Sequence, residues 1–194
     1  MDGDSLAPPC GSDPWLLPHL FSALNLRADD VLYDLGCGDG RICLAACGAG
    51  VSSASTPAGS ASPDPLPLCG VFRAVGVELE SDVCDVFEAD IERAGLRGRV
   101  SCVRGDLRDV DISDATVVVL YLLPEGVAAV QDKVVALMTA KEGVRVLCIS
   151  WGLKGVKESK RVDVDGVTFY IYSSAEKHRH DSSPSAKKSD ETDD

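Results

Sequence analysis

The apolar positions in the first part of the chain change their period twice. Leu16, Leu17, Leu20, Phe21 and Leu24 recur at helical spacing behind Asp13-Pro14, a capping residue followed by proline at the first helical position, and predict an amphipathic helix. Val31-Leu32-Tyr33-Asp34-Leu35 is a short apolar run that ends at a glycine cluster, and residues 41–47 then resume with small helix formers. The pattern is strand, tight loop, helix.

Residues 48–70 shift to Gly, Ala, Ser and Pro, which cannot assemble an apolar face, and predict a flexible insertion. Ala74-Val75-Gly76-Val77-Glu78 makes a second strand. Ser81 is placed to cap a helix whose Val83, Val86, Phe87 and Ile91 share one face and which ends near Gly95. Val100-Ser101-Cys102-Val103 makes a third strand. The β-branched run Thr116-Val117-Val118-Val119-Leu120-Tyr121 reads as a fourth, buried on both faces. Val127, Val130, Val134, Leu137 and Met138 mark the next helix, and residues 144–149 a fifth strand. Asp165-Gly166 then joins residues 161–164 to 167–172 as a two-residue hairpin. Only about a dozen residues, 150–161, separate the fifth and sixth strands, so a helix there must be short or absent. These elements predict an α/β fold: a doubly wound, mainly parallel seven-stranded sheet with a C-terminal antiparallel hairpin. The expected domain covers residues 13–173, between a flexible head (1–12) and a disordered tail (174–194).

Composition narrows the partners. A chain of 194 residues, 45% apolar, suits one domain with a full core. A formal charge of -12 argues against the broad basic surface that grips nucleic acid, and suits a cationic partner or simple solubility. The eight cysteines are scattered without C-x-x-C spacing and read as reduced, small apolar residues. His178-Arg179-His180 lies in the charged tail without further clustered ligands, so no metal site is expected. The acidic start, Met1-Asp2-Gly3-Asp4-Ser5, lacks the pattern of a secretory signal or transit peptide. The longest apolar stretch, residues 116–124, is too short to span a bilayer.

The chemistry concentrates at strand ends, where open parallel sheets bind their ligands. Asp34-x-Gly36-x-Gly38-x-Gly40 leaves backbone amides uncovered at a strand-to-helix turn, because glycine has no Cβ to hold a ligand away. A dinucleotide fingerprint needs its third glycine one place later, where Arg41 stands, so the spacing favours another ligand. Tyr33-Asp34-Leu35-Gly36-Cys37-Gly38-Asp39-Gly40-Arg41-Ile42 resembles the glycine loop of class I S-adenosylmethionine-dependent methyltransferases, a Rossmann-like family.

That resemblance implies S-adenosylmethionine as cofactor, held by Asp34, Gly36, Cys37, Gly38 and Gly40. It places Glu78 on the ribose hydroxyls with Leu79 beside it, and Asp106 with the backbone of Leu107 on the adenine. Taken singly, each acid also fits a structural role: Asp34 bracing the loop amides, Glu78 capping the next turn, Asp106 on the surface. Residues 13–172, especially 107–125 and the hairpin, resemble the small lysine methyltransferases of the ATP synthase c-subunit and the adenine nucleotide translocase. The resemblance implies a protein substrate bearing lysine and an intracellular protein, cytoplasmic or mitochondrial. Tyr121 and Glu125, after the fourth strand, are the expected acceptor-side catalytic residues, Tyr121 also touching the cofactor; core packing and a helix-dipole acid are their bland counterparts. The Asp13-Pro14-Trp15 segment is a candidate lid or a packing anchor. Methylation of a small metabolite, and a non-catalytic cofactor-binding regulator, are the alternatives; the glycine spacing argues against an oxidoreductase.

Overall fold

A computed structural model describes residues 13–49 and 71–174. The expected head, residues 50–70 of the expected insertion and residues 175–194 of the expected tail lie outside the described residues, as do Cys10, Cys69 and the tail histidines.

The elements follow in the order α1 (Leu16–Leu24), β1 (Val31–Leu35), α2 (Arg41–Ala46), β2 (Arg73–Glu78), α3 (Ser81–Arg93), β3 (Val100–Arg104), β4 (Val117–Leu120), α4 (Pro124–Ala140), β5 (Arg145–Ile149), β6 (Lys160–Val164) and β7 (Val167–Ser173). They form one seven-stranded sheet in the order β3-β2-β1-β4-β5-β7-β6. β1 to β5 are parallel, and β7 runs antiparallel to both β5 and β6. The hairpin turns on Asp165 and Gly166 at φ of 45° and 86°, the double positive angle that makes Asp-Gly the favoured pair there.

Strand burial explains the apolar runs. All four residues of β4 and all five of β5 are buried, because helices or loops cover both faces of the central sheet. One face carries α1, α2 and α3, with Leu17, Leu20, Phe87, Leu147 and Phe169 in its core. The other carries α4, with Val118, Leu120, Val130, Val134 and Tyr172. No helix joins β3 to β4 or β5 to β6. The first gap is sealed by Leu107, Ile112 and Ala115, and the second by Leu153, whose N–H donates to the Tyr172 hydroxyl at 2.8 Å.

Three local expectations are corrected. α1 begins at Leu16, two residues past Pro14, and Asp13 helps through its carbonyl, which accepts from Leu16 N–H at 2.9 Å. Ser81 is the first residue of α3 rather than its cap, which is Glu80. The buried stripe of α3 is Cys84, Phe87 and Ile91, while Val86 points to solvent; a cysteine packs as a small hydrophobe where a valine was expected.

Chain order reverses at β1: β2 and β3 continue on one side of it, β4 and β5 on the other. The crevice outside the carboxyl ends of β1 and β4 is therefore the switch point at which an open sheet binds its ligand.

Candidate functional site

The turn leaving β1 lies at that crevice. Gly36 and Cys37 both donate their N–H groups to the Val77 carbonyl, at 2.9 and 3.0 Å, which anchors the loop to β2. Gly38 and Gly40 take φ of 54° and 73°, a region that costs any L-residue with a Cβ. Around Gly38 a Cβ would meet nothing within 4 Å, so its backbone faces open space; at Gly40 it would lie 2.0 Å from the Phe87 ring. The loop is thus open toward a ligand and closed against α3. Gly40→Ala is expected to destabilise the fold by about 2–3 kcal/mol, because the fully buried Phe87 has nowhere to move. Urea denaturation checks this, and an unchanged midpoint would refute it.

Asp34 is the unusual residue. Its side chain is 1% exposed, and Oδ2 has no hydrogen-bond partner. Burial first, then the charges of Glu78 and Asp39, push its carboxyl up to about 7. Bracing the loop amides is not its task here. That role falls to Glu78: Oε2 accepts from Gly38 N–H at 2.9 Å, and Oε1 from the N–H groups of Leu79 at 2.8 Å and Glu80 at 3.1 Å. Glu78 therefore ties the glycine loop to the end of β2, as a carboxylate with room for further donors can. Leu79 beside it is 62% exposed, an apolar side chain held at the rim of the crevice.

Cys37 and Leu107 point inward. The Cys37 thiol packs into the α2 face core, and burial pushes its pKa far up, so the side chain is a protonated filler and only its backbone borders the crevice. Leu107 belongs to the α4 face core, and its carbonyl accepts from Lys133 Nζ at 2.8 Å; the same ammonium donates to Val110 O at 2.7 Å. α4 thereby holds the loop after β3. At the head of that loop Arg108 pairs with Asp106, through side-chain hydrogen bonds first and its own N–H second, and holds that carboxyl down to about 2. Arg108 is exposed, and such surface pairs are readily exchanged for other donors.

Tyr121 follows β4, half-buried against the face that also carries Asp34's neighbours Leu32 and Val119. Glu125 sits exposed in the first turn of α4, beyond Pro124 at the first helical position. Sequence reasoning missed Trp151, at the end of β5 next to β4, because the residues after β5 carry no periodicity. Among the described residues no group of His, Cys, Asp and Glu could hold a metal ion, and no helix is long and apolar enough to cross a membrane.

A ligand for this crevice meets two acids at adjacent strand ends, one of them buried without a partner, beneath open glycine backbone. Such a site suits a polar molecule carrying positive charge and hydroxyl donors.

Residues 66–160 match the ANTKMT methyltransferase domain. A protein-lysine N-methyltransferase of Saccharolobus islandicus (strain REY15A) is 33% identical over 158 residues, 79% of this chain and 85% of that relative. An RNA methyltransferase from Salinibacter ruber, solved with S-adenosyl-L-homocysteine, is similar at a TM-score of 0.66 and 28% identity over 89% of this chain and 98% of that one. The C-terminal domain of precorrin-6Y C5,15-methyltransferase from Rhodobacter capsulatus shares the fold, with a TM-score of 0.56 at 14% identity over 89% and 95% of the two chains.

Proposed function

The chain belongs to the class I S-adenosylmethionine-dependent methyltransferases, and from that premise we propose that it methylates the side-chain amine of a protein lysine. The observation that carries the reading is Asp34, a buried carboxylate with an unpartnered oxygen at the switch point, which suits a cationic cofactor. When bound, S-adenosylmethionine would supply an electrophilic methyl group for the amine's lone pair, with a neutral thioether as the leaving group.

The chain's residues then divide the work. The backbone of Gly36, Cys37, Gly38 and Gly40 cradles the amino-acid part, with Asp34 as its counter-charge. Glu78, with its three amide bonds kept, would accept from the ribose hydroxyls with Leu79 beside it, and Asp106 with the Leu107 backbone would hold the adenine. On the acceptor side the amine must arrive neutral, which from an unperturbed lysine at pH 7 costs about 5 kcal/mol. Half-buried Tyr121 shields the nitrogen from water, and the Glu125 carboxylate in the first turn of α4 helps to orient it. Tyr121→Phe and Glu125→Gln are each expected to lower turnover about tenfold or more with cofactor affinity unchanged. Steady-state kinetics beside calorimetric binding checks this, and unchanged turnover in both removes them from the acceptor site.

The lysine target draws support from the name of the Saccharolobus relative and from a chain charge of -12, which suits a cationic protein segment. A second reading follows the Salinibacter relative, whose name gives RNA as its substrate; the same acidity works against it. Methyl-labelled S-adenosylmethionine, incubated with fractionated cell extract and either wild type or Asp34→Asn, separates the readings. Label on protein lysine that is lost in the variant is the expected result. Label confined to RNA or to small molecules replaces the proposal, and cofactor binding without any label makes the chain a non-catalytic binding module.

A further inference from the structure

The loop that leaves β5 is built to display an indole. Ser150 takes φ of 68°, in the left-handed region that an L-residue enters only when its surroundings enforce it. Its N–H donates to Thr168 O at 2.8 Å, and the Trp151 N–H donates to Ile149 O at 2.9 Å. On the far side a Cβ on Gly152 would lie 2.6 Å from the Tyr172 hydroxyl, the same hydroxyl that accepts from Leu153 N–H. The backbone is thus fixed on both sides of Trp151, yet its side chain is 51% exposed. A large aromatic at the end of a buried strand ordinarily folds onto the core, and here the backbone sits in a costly conformation while the indole stays in solvent.

Its position gives this a purpose. β5 pairs with β4 up to Leu120↔Cys148, so Trp151 stands one strand from Tyr121 at the carboxyl end of the sheet. The chain's other tryptophan comes to the same end. Arg145, at the start of β5, donates to the carbonyls of Leu24 and Asn25, which pins the last turn of α1 at the amino end of the strands; Trp15, the residue that caps the other end of α1, is 38% exposed, and the charge of Asp13 bears on Arg41 at the start of α2. Both tryptophans of the chain are exposed at the end where the acceptor must enter.

We propose that Trp151 is the acceptor-specificity residue, a platform whose face receives the alkyl stem and ammonium head of the incoming lysine before the amine reaches Tyr121. The inference rests on the amine-methylating reading above. Tryptophan presents the most favourable ring face for a cation, and a flat apolar surface for the four methylenes of lysine.

Two readouts test it. Isotope-labelled protein saturated with S-adenosylhomocysteine is titrated with acetyl-Ala-Lys-Ala-amide, and the indole N–H resonance that is absent in Trp151→Phe is followed. A saturable shift with this peptide, and none with its Nε-acetylated form, is expected; an unmoved resonance, or equal shifts with both, overturns the proposal. In the second readout, transfer to the protein fraction that the wild type labels should show an acceptor half-saturation about tenfold higher in Trp151→Ala. Maximal rate and cofactor affinity should stay within about twofold, and Trp151→Phe should recover most of the loss. Unchanged half-saturation, or weakened cofactor binding, overturns the proposal. Label on lysine with an indifferent indole marks failure of this inference alone, whereas cofactor binding with no labelled lysine marks failure of the functional reading beneath it.

Discussion

Asp34→Asn should make the free protein more stable above pH 7 while weakening its hold on the cofactor. In the unfolded chain this carboxyl has its ordinary value of 3.8, and in the folded protein burial and the neighbouring Glu78 and Asp39 raise it to about 7. A group raised on folding stabilises fully below its unfolded value and loses that contribution as pH climbs through the folded one. Stability of the free protein should accordingly fall between about pH 4 and pH 7, by on the order of 4 kcal/mol, as the unfolded state gains a charge that the folded state resists. The amide carries no such charge. After allowing for burial of its own polar group, the variant should gain about 1–2 kcal/mol at pH 8, roughly 3–6 °C in Tm, and nothing at pH 4, where wild-type Asp34 is neutral in the fold. Affinity for S-adenosylmethionine should fall about 10- to 100-fold, because a cation beside the carboxylate is what relieves the cost. Scanning calorimetry at both pH values and titration calorimetry measure the two effects. A variant less stable at pH 8, or one that binds as well as wild type, contradicts the assignment.

The largest loss of stability is expected at the other end of the sheet, from Arg145→Ala. Arg145 and Asp30 form a pair that is 9% and 3% exposed. Arg145 Nη1 donates to Leu24 O at 2.8 Å and Asn25 O at 2.7 Å, while Asp30 accepts from the Thr116 hydroxyl at 2.7 Å and from Arg27 N–H at 2.6 Å. One guanidinium thus joins α1, the turn before β1, and β5. Removing it leaves a buried carboxylate without its counter-charge and two helix-end carbonyls without their donor, at a cost of about 3–5 kcal/mol and a Tm lower by roughly 10 °C. The double variant Asp30→Asn with Arg145→Met should recover part of this, because the charge left behind is then gone while Thr116 and Arg27 keep an acceptor. Cofactor affinity below the transition should be unchanged, since the network lies at the amino ends of the strands. A loss under about 1 kcal/mol would show that the network contributes little.

The two predictions fall on different sides of what the chain reveals without coordinates. The glycine loop, the acids Glu78 and Asp106 at the ends of the second strand and just after the third, and the Asp-Gly hairpin depend on neighbours a few residues away, and glycine spacing with strand periodicity exposes them directly. The mainly parallel sheet with its closing antiparallel hairpin follows as well, whereas the strand order β3-β2-β1-β4-β5-β7-β6 comes from the structure alone. Contacts across long separations stay hidden. Nothing near Asp30 points to Arg145, 115 positions on, and no local rule distinguishes Asp34 with a buried orphan oxygen from an acid bracing its own loop. Glu78 stands out along the chain as an acid ending the second strand, but its clamp on Gly38 spans 40 residues and arises only when β2 is laid beside β1.

The stripe of α3 shows the same division: its existence is periodic and local, but whether Val86 or Cys84 faces inward depends on the angle at which the helix meets β2 and β3. Trp151 is the extreme case. A lone aromatic after a strand says nothing by itself; its exposure, its strained neighbour Ser150 and its nearness to Tyr121 are properties of strand pairing and of Tyr172 packing behind Gly152. Short-range chemistry is written along the chain because its energy is spent between neighbours. Burial, pKa and the company that side chains keep belong to the fold, because their energy comes from which distant surfaces exclude water together.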